Sequence, residues 1–416
     1  MNAEIITIGD ELLIGQVINT NQAFIAEQLN TAGIAVSRMV TVGDTEVEIL
    51  RSFDEAWKRV NVVLVTGGLG PTHDDVTRGA ACKFFDSRLV QSDDALASIQ
   101  RLFSSRGLPL TKINIDQASV PHNCTVIRNL HGTAPGYLFE RDEKFMVVMP
   151  GVPYEMKGMM EDFVLPFFHK RVKDSFVRHK TLKTTGIAES LLAEQLGPVD
   201  GLISPNSGTT LAYLPSPTGV RLRISVRSQS ADDAERRIAE VEKKIIAKAG
   251  NYVYGSGTQE LEEVIGTLLA DRNLTLAVAE SCTGGLLASK ITDIPGSSRY
   301  FLEGVITYSN DSKTSDLGIS ADLIRDKGAV SREVAEAMAA GVRKNAGADI
   351  GLSTTGIAGP SGGSPKKPVG LVWIAYSDGT RTLALRFNFG PDRKRTKERA
   401  SQAALELLRR NLLKIR

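Results

Sequence analysis

Cysteine is scarce in this chain, with only Cys82, Cys124 and Cys282 among 416 residues. Three thiols so widely spaced exclude a disulfide framework and a cysteine-ligated zinc site. Histidine is missing from a long stretch: His73, His122, His131, His169 and His179 all precede residue 180, and none follows. Net charge is nearly absent too, since 50 Lys and Arg against 48 Asp and Glu leave +2. That balance excludes a polyanion-binding role for the chain as a whole. There is no basic arm, no low-complexity block and no tandem repeat. No apolar run is long enough to span a bilayer. Met1-Asn2-Ala3-Glu4 runs straight into a strand pattern. The expectation is therefore a protein without a signal peptide, reduced and cytoplasmic.

What is present suits a globular protein: 42% hydrophobic and 24% charged residues. The length implies two or three domains. Residues 1–170 alternate strand and helix patterns, and their strands empty into polar or glycine-rich turns. This predicts an open α/β sheet with its ligand crevice at the carboxyl edge. Residues 171–252 read as a small α+β module, with clean alternation from Gly219 to Val226 and a long charged helix from Ala231 to Ala249. Residues 253–416 alternate helix and strand again and close with a helix from Asp392 to about Leu413.

The third segment carries the clearest chemistry. Leu274 to Val278 reads as a buried strand, followed by Ala279-Glu280-Ser281-Cys282-Thr283-Gly284-Gly285. A hydroxyl at a strand-to-helix turn sits near free backbone N–H groups and the positive end of a helix, which suits a nucleophile. It also suits an N-cap, the commoner role of such a serine. With no histidine downstream, lysine is the leading base. Cys282 rivals Ser281, and spacing does not choose between them. Three further segments complete a constellation. Gly304 to Lys313 delivers Tyr308, Asn310 and Lys313, and Leu352 to Gly363 runs a strand through Thr355 and Gly356 into a loop with Gly359. Asp392-Arg393 opens the last helix. Glycines present N–H donors to an anion, and a guanidinium holds a phosphate. The loop lacks the Gly-Lys-Ser/Thr ending of a triphosphate-binding loop.

These stretches, with Pro295-Gly296-Ser297-Ser298, Gly328-Ala329-Val330-Ser331, Thr355-Gly356-Ile357-Ala358-Gly359-Pro360 and Lys367-Pro368-Val369-Gly370, resemble the C-terminal domain of the CinA family (competence/damage-inducible protein A). That domain also occurs alone as the nicotinamide-nucleotide amidohydrolase PncC. The resemblance implies hydrolysis of the carboxamide of nicotinamide mononucleotide to nicotinate mononucleotide and ammonia, with no cofactor. In that reading Ser281 attacks and Lys313 removes its proton, while Tyr308 and Thr355 orient the pair or donate to the oxyanion. Cys282, Thr283, Gly284, Asn310, Gly356 and Gly359 line the substrate. Arg393, or Arg395, takes the phosphate. The family commonly has a second arginine where this chain has Lys397.

The first segment has its own set: Gly9-Asp10-Glu11, Gly67-Gly68-Leu69-Gly70-Pro71-Thr72-His73-Asp74-Asp75, Gly132 to Gly136, and Pro150 to Met156 with Glu155. Gly67, Gly68 and Gly70 suit a phosphate; Asp10, Glu11, Asp74, Asp75 and Glu155 offer oxygens to a hard divalent cation. Helix capping explains the same acids. This segment resembles the CinA N-terminal domain, similar to molybdopterin-binding domains of the MoaB/MogA/MoeA type. The resemblance implies a metal-dependent ADP-ribose pyrophosphatase; a pterin-phosphate binder is the alternative. The middle module resembles the KH-like module of full-length CinA proteins. It shows no GXXG loop with basic flanks, so nucleic acid is not an expected partner. The whole is expected to be an α/β homodimer acting in pyridine-nucleotide salvage, away from membranes. The rival expectation is an interaction protein of competence or DNA-damage response.

Overall fold

The computed structural model describes residues 1–70, 75–105, 107–172, 176–205 and 207–415. The chain separates into two compact units, Met1–Arg178 with Val226–Arg236, and His179–Ser225 with Arg237–Arg416. Most of the middle module thus belongs to the same unit as the C-terminal domain. Among the described residues no helix is long and apolar enough to cross a membrane.

In the first unit a six-stranded sheet runs Ala35–Val42, Asn2–Ile8, Val62–Thr66, Lys144–Met149, Gly136–Arg141, Thr125–Ile127. The first three pairings are parallel and the last two antiparallel. Val62 to Thr66 is buried at every position, as its unbroken apolar run requires when both faces are covered. One face packs on Phe53, Ile49 and Phe85, the other on Ile25, Leu29 and Phe168. The chain passes from Asn2–Ile8 to Ala35–Val42 on one side and from there crosses to Val62–Thr66 on the other. Such a reversal opens a crevice at the carboxyl ends of the two strands. Gly9 and Gly67 follow those ends.

The middle module is a four-stranded sheet in the order Thr209–Ser216, Gly219–Ser228, Phe176–Thr184, Val253–Ser256. Its alternation is literal, with Val220, Leu222, Ile224 and Val226 buried and Arg221 and Arg223 exposed. The C-terminal domain repeats the architecture of the first. Its five-stranded sheet runs Phe301–Ile306, Leu276–Glu280, Ile350–Gly356, Leu371–Ser377, Thr382–Asn388. The first two pairings are parallel and the last two antiparallel.

The Leu276–Glu280 strand is fully buried, and its period of two divides its side chains between two cores. Leu276 and Val278 meet Leu269, Leu287 and Leu405, whereas Ala277 and Ala279 meet Val334, Met338 and Val342. The chain leaves this strand for the Phe301 neighbour and then crosses to the Ile350 neighbour. Residue 281 therefore stands at the point where the strand order reverses.

Candidate active site

Ser281 leaves the Leu276–Glu280 strand with its N–H donating to the Thr354 carbonyl (2.9 Å). The next strand pair brings in its partner: Phe301–Ile306 ends at Thr307, and the Asn310–Leu317 helix follows at once. Lys313 stands one turn into that helix and points back under the strand ends. Its Nζ lies 3.1 Å from Ser281 Oγ and 2.7 Å from the Thr307 carbonyl, with the Tyr308 and Ser309 carbonyls at 3.4 and 3.5 Å. Lys313 is 1% exposed and Ser281 8%. Burial lowers the lysine's pKa from its ordinary 10.5. A neutral amine keeps donors for the carbonyls and a lone pair for the serine proton, which is what a general base needs.

The ambiguity between Ser281 and Cys282 has a geometric answer. Cys282 turns the other way, into the core beside Leu261, Leu287 and Leu405. Burial pushes its thiol up to about 12, so no thiolate is available near neutral pH. Cys282 contributes its backbone to the turn and its sulfur to packing. The N–H groups of Cys282 and Thr283 donate to no other described residue, leaving two adjacent donors beside Ser281. Thr283 is fully buried, its hydroxyl 2.6 Å from that of Thr354. Gly284 sits at φ 60, where a side chain would be strained, and a Cβ there would lie 3.5 Å from Lys397 Nζ. The lysine that replaces the family's second arginine thus reaches the nucleophile turn.

Glu280 is the residue that sequence reasoning passed over. It continues the face of Leu276 and Val278, is 1% exposed, and lies under the Leu286–Thr292 helix. Its carboxylate accepts N–H bonds from Gly285 (3.0 Å), Leu287 (3.1 Å) and Ala288 (2.7 Å). The expected role for the helix's positive end beside Ser281 is corrected accordingly: these amides are taken by a side chain of the chain itself. The donors left for a ligand are those of the preceding turn. A sequence signal existed, an acid ahead of a Gly-Gly and a helix, but it resembles an ordinary surface cap. Glu280→Ala leaves three donors without their acceptor, that of Leu287 buried and those of Gly285 and Ala288 partly buried. It should destabilise this unit by about 2–4 kcal/mol, measured by chemical denaturation, with Glu280→Gln recovering part of the loss.

The remaining predicted residues fall around this pair at different distances. Thr355 is buried and its hydroxyl donates to the Ala329 carbonyl (2.8 Å), so it braces the Ile350–Gly356 strand and does not bond Ser281 or Lys313. Tyr308 is 61% exposed; its hydroxyl accepts from Arg393 Nη2 (3.1 Å) while Arg393 Nη1 donates to the Gly359 carbonyl (2.9 Å). Arg393 thereby ties the Gly356–Gly359 loop to Tyr308. Arg395 instead lies by its own helix cap, Asp392 (3.7 Å). A Cβ at Gly356 would come within 2.6 Å of the Leu371 carbonyl, so that glycine is required by strand packing. Asn310 is exposed at the first position of its helix.

In the first unit, Gly67 adopts φ 123 and a Cβ there would lie 2.1 Å from the Ile8 carbonyl, so only glycine brings these two strand ends together. Gly68 sits against Thr77 and Gly70 against Asp75. Asp10 and Asp44 exchange backbone-to-carboxylate bonds at 2.9 and 3.2 Å. Glu11 folds over Gly9. Glu155 is buried, accepts from Asn129 (2.6 Å) and lies against Gly132. Asp74 lies outside the described residues. Among the described residues no group of three His, Cys, Asp or Glu side chains is arranged to hold a metal ion. Asp10, Glu11, Asp75 and Glu155 do not form such a site by themselves.

Comparison with known proteins matches the chain to a family. Residues 258–412 match the model of the CinA C-terminal domain, 179–255 that of the damage-inducible protein CinA KH domain, and 4–170 that of a probable molybdopterin binding domain. A CinA-like protein of Chloroherpeton thalassium is 45% identical over 98% of this chain and 99% of its own length. The chain belongs to the CinA family. A CinA relative described as a putative competence-damage inducible protein, from Caldicellulosiruptor saccharolyticus, is 43% identical over 99% of this chain and all of its own. Among solved structures, the competence/damage inducible protein CihA of Agrobacterium tumefaciens is 39% identical over 37% of this chain and 93% of its own, with a TM-score of 0.36. The expected α/β class, with a molybdopterin-binding-like first domain, a KH-like module and a CinA C-terminal domain, is what this CinA protein shows.

Proposed function

We propose that the C-terminal domain hydrolyses the carboxamide of nicotinamide mononucleotide, giving nicotinate mononucleotide and ammonia. The observation that carries this reading is the buried approach of Lys313 Nζ to Ser281 Oγ at 3.1 Å, at the reversal point of the sheet. Neutral Lys313 takes the hydroxyl proton as Ser281 Oγ bonds to the amide carbon. The oxyanion is met by the N–H groups of Cys282 and Thr283. Lys313 then passes the proton to the amide nitrogen, the C–N bond breaks and ammonia leaves an ester on Ser281. Water attacks that ester, its proton goes to Lys313, and the C–O bond breaks to return the hydroxyl. In this reading Arg393, with Lys397, takes the phosphate. Ammonia release from nicotinamide mononucleotide by the purified protein tests the reading directly. No release, in protein that melts cooperatively, would favour the interaction-protein role that the competence-damage names of relatives suggest.

For the N-terminal unit we propose nucleotide-phosphate binding at the Gly67–Gly68 turn, with metal-dependent cleavage of ADP-ribose as its activity. Support comes from the reversal of strand order about the Asn2–Ile8 strand and from the family resemblance. AMP appearing from ADP-ribose only after a divalent cation is added is the expected result. Tight pterin-phosphate binding without turnover would assign the unit instead to the molybdopterin-binding role its family model names.

A further inference from the structure

Most of the middle module shares one compact unit with the C-terminal domain, and within that unit residues 185–220 and 381–415 line a crevice of about 1110 Å³. Neither Ser281, Lys313 nor Arg393 lines it. We propose that this crevice is a second ligand site, shaped for a nucleoside monophosphate.

One wall is apolar. Leu383, Leu385 and Phe387 share one face of the Thr382–Asn388 strand, and Phe389 follows. The Phe387 and Phe389 rings lie nearly parallel, 5.3 Å apart at 9°, and Leu385 is 45% exposed. Such a surface accepts the face of a flat ring.

The floor holds an unpaired amide. Gln402, on the long C-terminal helix, is 6% exposed and lines the crevice, yet its side chain makes no hydrogen bond with any described residue. Its two amide heteroatoms keep their solvent access from the crevice, so a ligand there can pair them. Gln402 offers a donor and an acceptor side by side, which match a ring edge bearing an acceptor beside a donor. Heterocyclic bases carry such an edge.

The rim is cationic. Arg399 spends its donors on the carbonyls of Pro217 and Phe389, both at 3.3 Å, and on no carboxylate. Lys414 makes no ion pair with a described residue. Arg410 pairs with Glu406 at 3.6 Å, but Glu406 is already held by buried Arg409 at 2.7 Å. Arg381 stands 3.7 Å from Asp378. Glu189 is the other acid of the lining. Across the crevice the Glu189–Leu196 helix begins after Ala188, which has no side chain to cap its amides. Guanidinium, ammonium and open amides together receive a phosphate.

The test is calorimetric titration of the full-length protein with AMP, GMP, CMP and UMP, with inorganic phosphate and adenosine as part-ligands. At least one monophosphate should bind at least tenfold more tightly than either part. Gln402→Leu, Leu385→Glu and Lys414→Glu should each weaken that binding tenfold or more, while deamidation of nicotinamide mononucleotide stays within twofold of the unsubstituted protein. Leu385 and Lys414 are exposed, so their variants carry the test should Gln402→Leu fold poorly. Binding by none of the four overturns the proposal. So does binding that all three variants retain, which would place the nucleotide elsewhere. Leu385→Glu splitting an oligomer in light scattering, with nucleotide binding unchanged, would assign the crevice to contact between copies and equally overturn it.

Discussion

Ser281→Ala should lower kcat/KM for nicotinamide mononucleotide by about 10³-fold or more, while Cys282→Ala should keep the rate within about tenfold. The two residues are adjacent, yet the fold sends them to opposite sides. Ser281 Oγ faces Lys313 at 3.1 Å, and Cys282 fills a gap among Leu261, Leu287 and Leu405. A thiol pushed up to about 12 by burial is protonated throughout the working range, so its greater intrinsic nucleophilicity has no outlet. Removing the sulfur costs packing instead, about 1–2 kcal/mol of stability seen as a lower denaturation midpoint. The pair of variants thus separates chemistry from packing: one loses turnover with its melt intact, the other the reverse. An inactive Cys282→Ala beside a fully active Ser281→Ala would remove the serine mechanism altogether.

How much of this was readable beforehand differs from residue to residue. The serine's position was legible because a continuous apolar run followed by Ser-Cys-Thr-Gly-Gly fixes a strand and a turn whatever the partners. Lysine as base followed from the missing histidines. Which lysine came from the family resemblance and not from local pattern: Lys313 stands 32 residues away, and a single lysine near a helix start reads as solvated until the Thr307 and Tyr308 carbonyls are seen to hold its Nζ inward. The family resemblance implies a role for Thr355 at the site, but its hydroxyl bonds the Ala329 carbonyl, a choice set by the Gly328–Ser331 turn of a distant segment. Glu406 and Arg409 would pass for an exposed i,i+3 pair. They are buried because Arg409 also reaches the Asn251 carbonyl (2.5 Å), joining the helix to the exit of the KH-like module. The acids of the first unit show the limit most clearly. Asp10, Glu11 and Glu155 each follow a strand end, yet loop paths direct them to Asp44, Gly9 and Asn129 respectively. Side-chain destinations depend on loop geometry, which local pattern does not encode.

Lys313→Met should abolish deamidation to about the level of Ser281→Ala while changing stability little, and the two effects have separate origins. Burial disfavours the charged lysine; hydrogen bonds to the Thr307, Tyr308 and Ser309 carbonyls favour it. The balance lies on the side of burial, so the folded pKa is below 10.5. Between the folded value and 10.5 the unfolded chain binds the extra proton. The stability contribution of this group is therefore present above the unfolded pKa and lost as pH falls through the folded one. Methionine of similar length removes that loss but leaves the Thr307 carbonyl without its donor, opposing terms of about 1–3 kcal/mol each. Activity has no such compensation, because thioether sulfur does not take the serine proton. In the unsubstituted protein kcat/KM should climb with pH and level off once Lys313 is neutral, with its midpoint below the ordinary lysine value. Both burial and the rate law set that direction: the deprotonated fraction is the active one. A profile that falls with rising pH through this range, or one unchanged in Lys313→Met, would mean that another group takes the proton from Ser281.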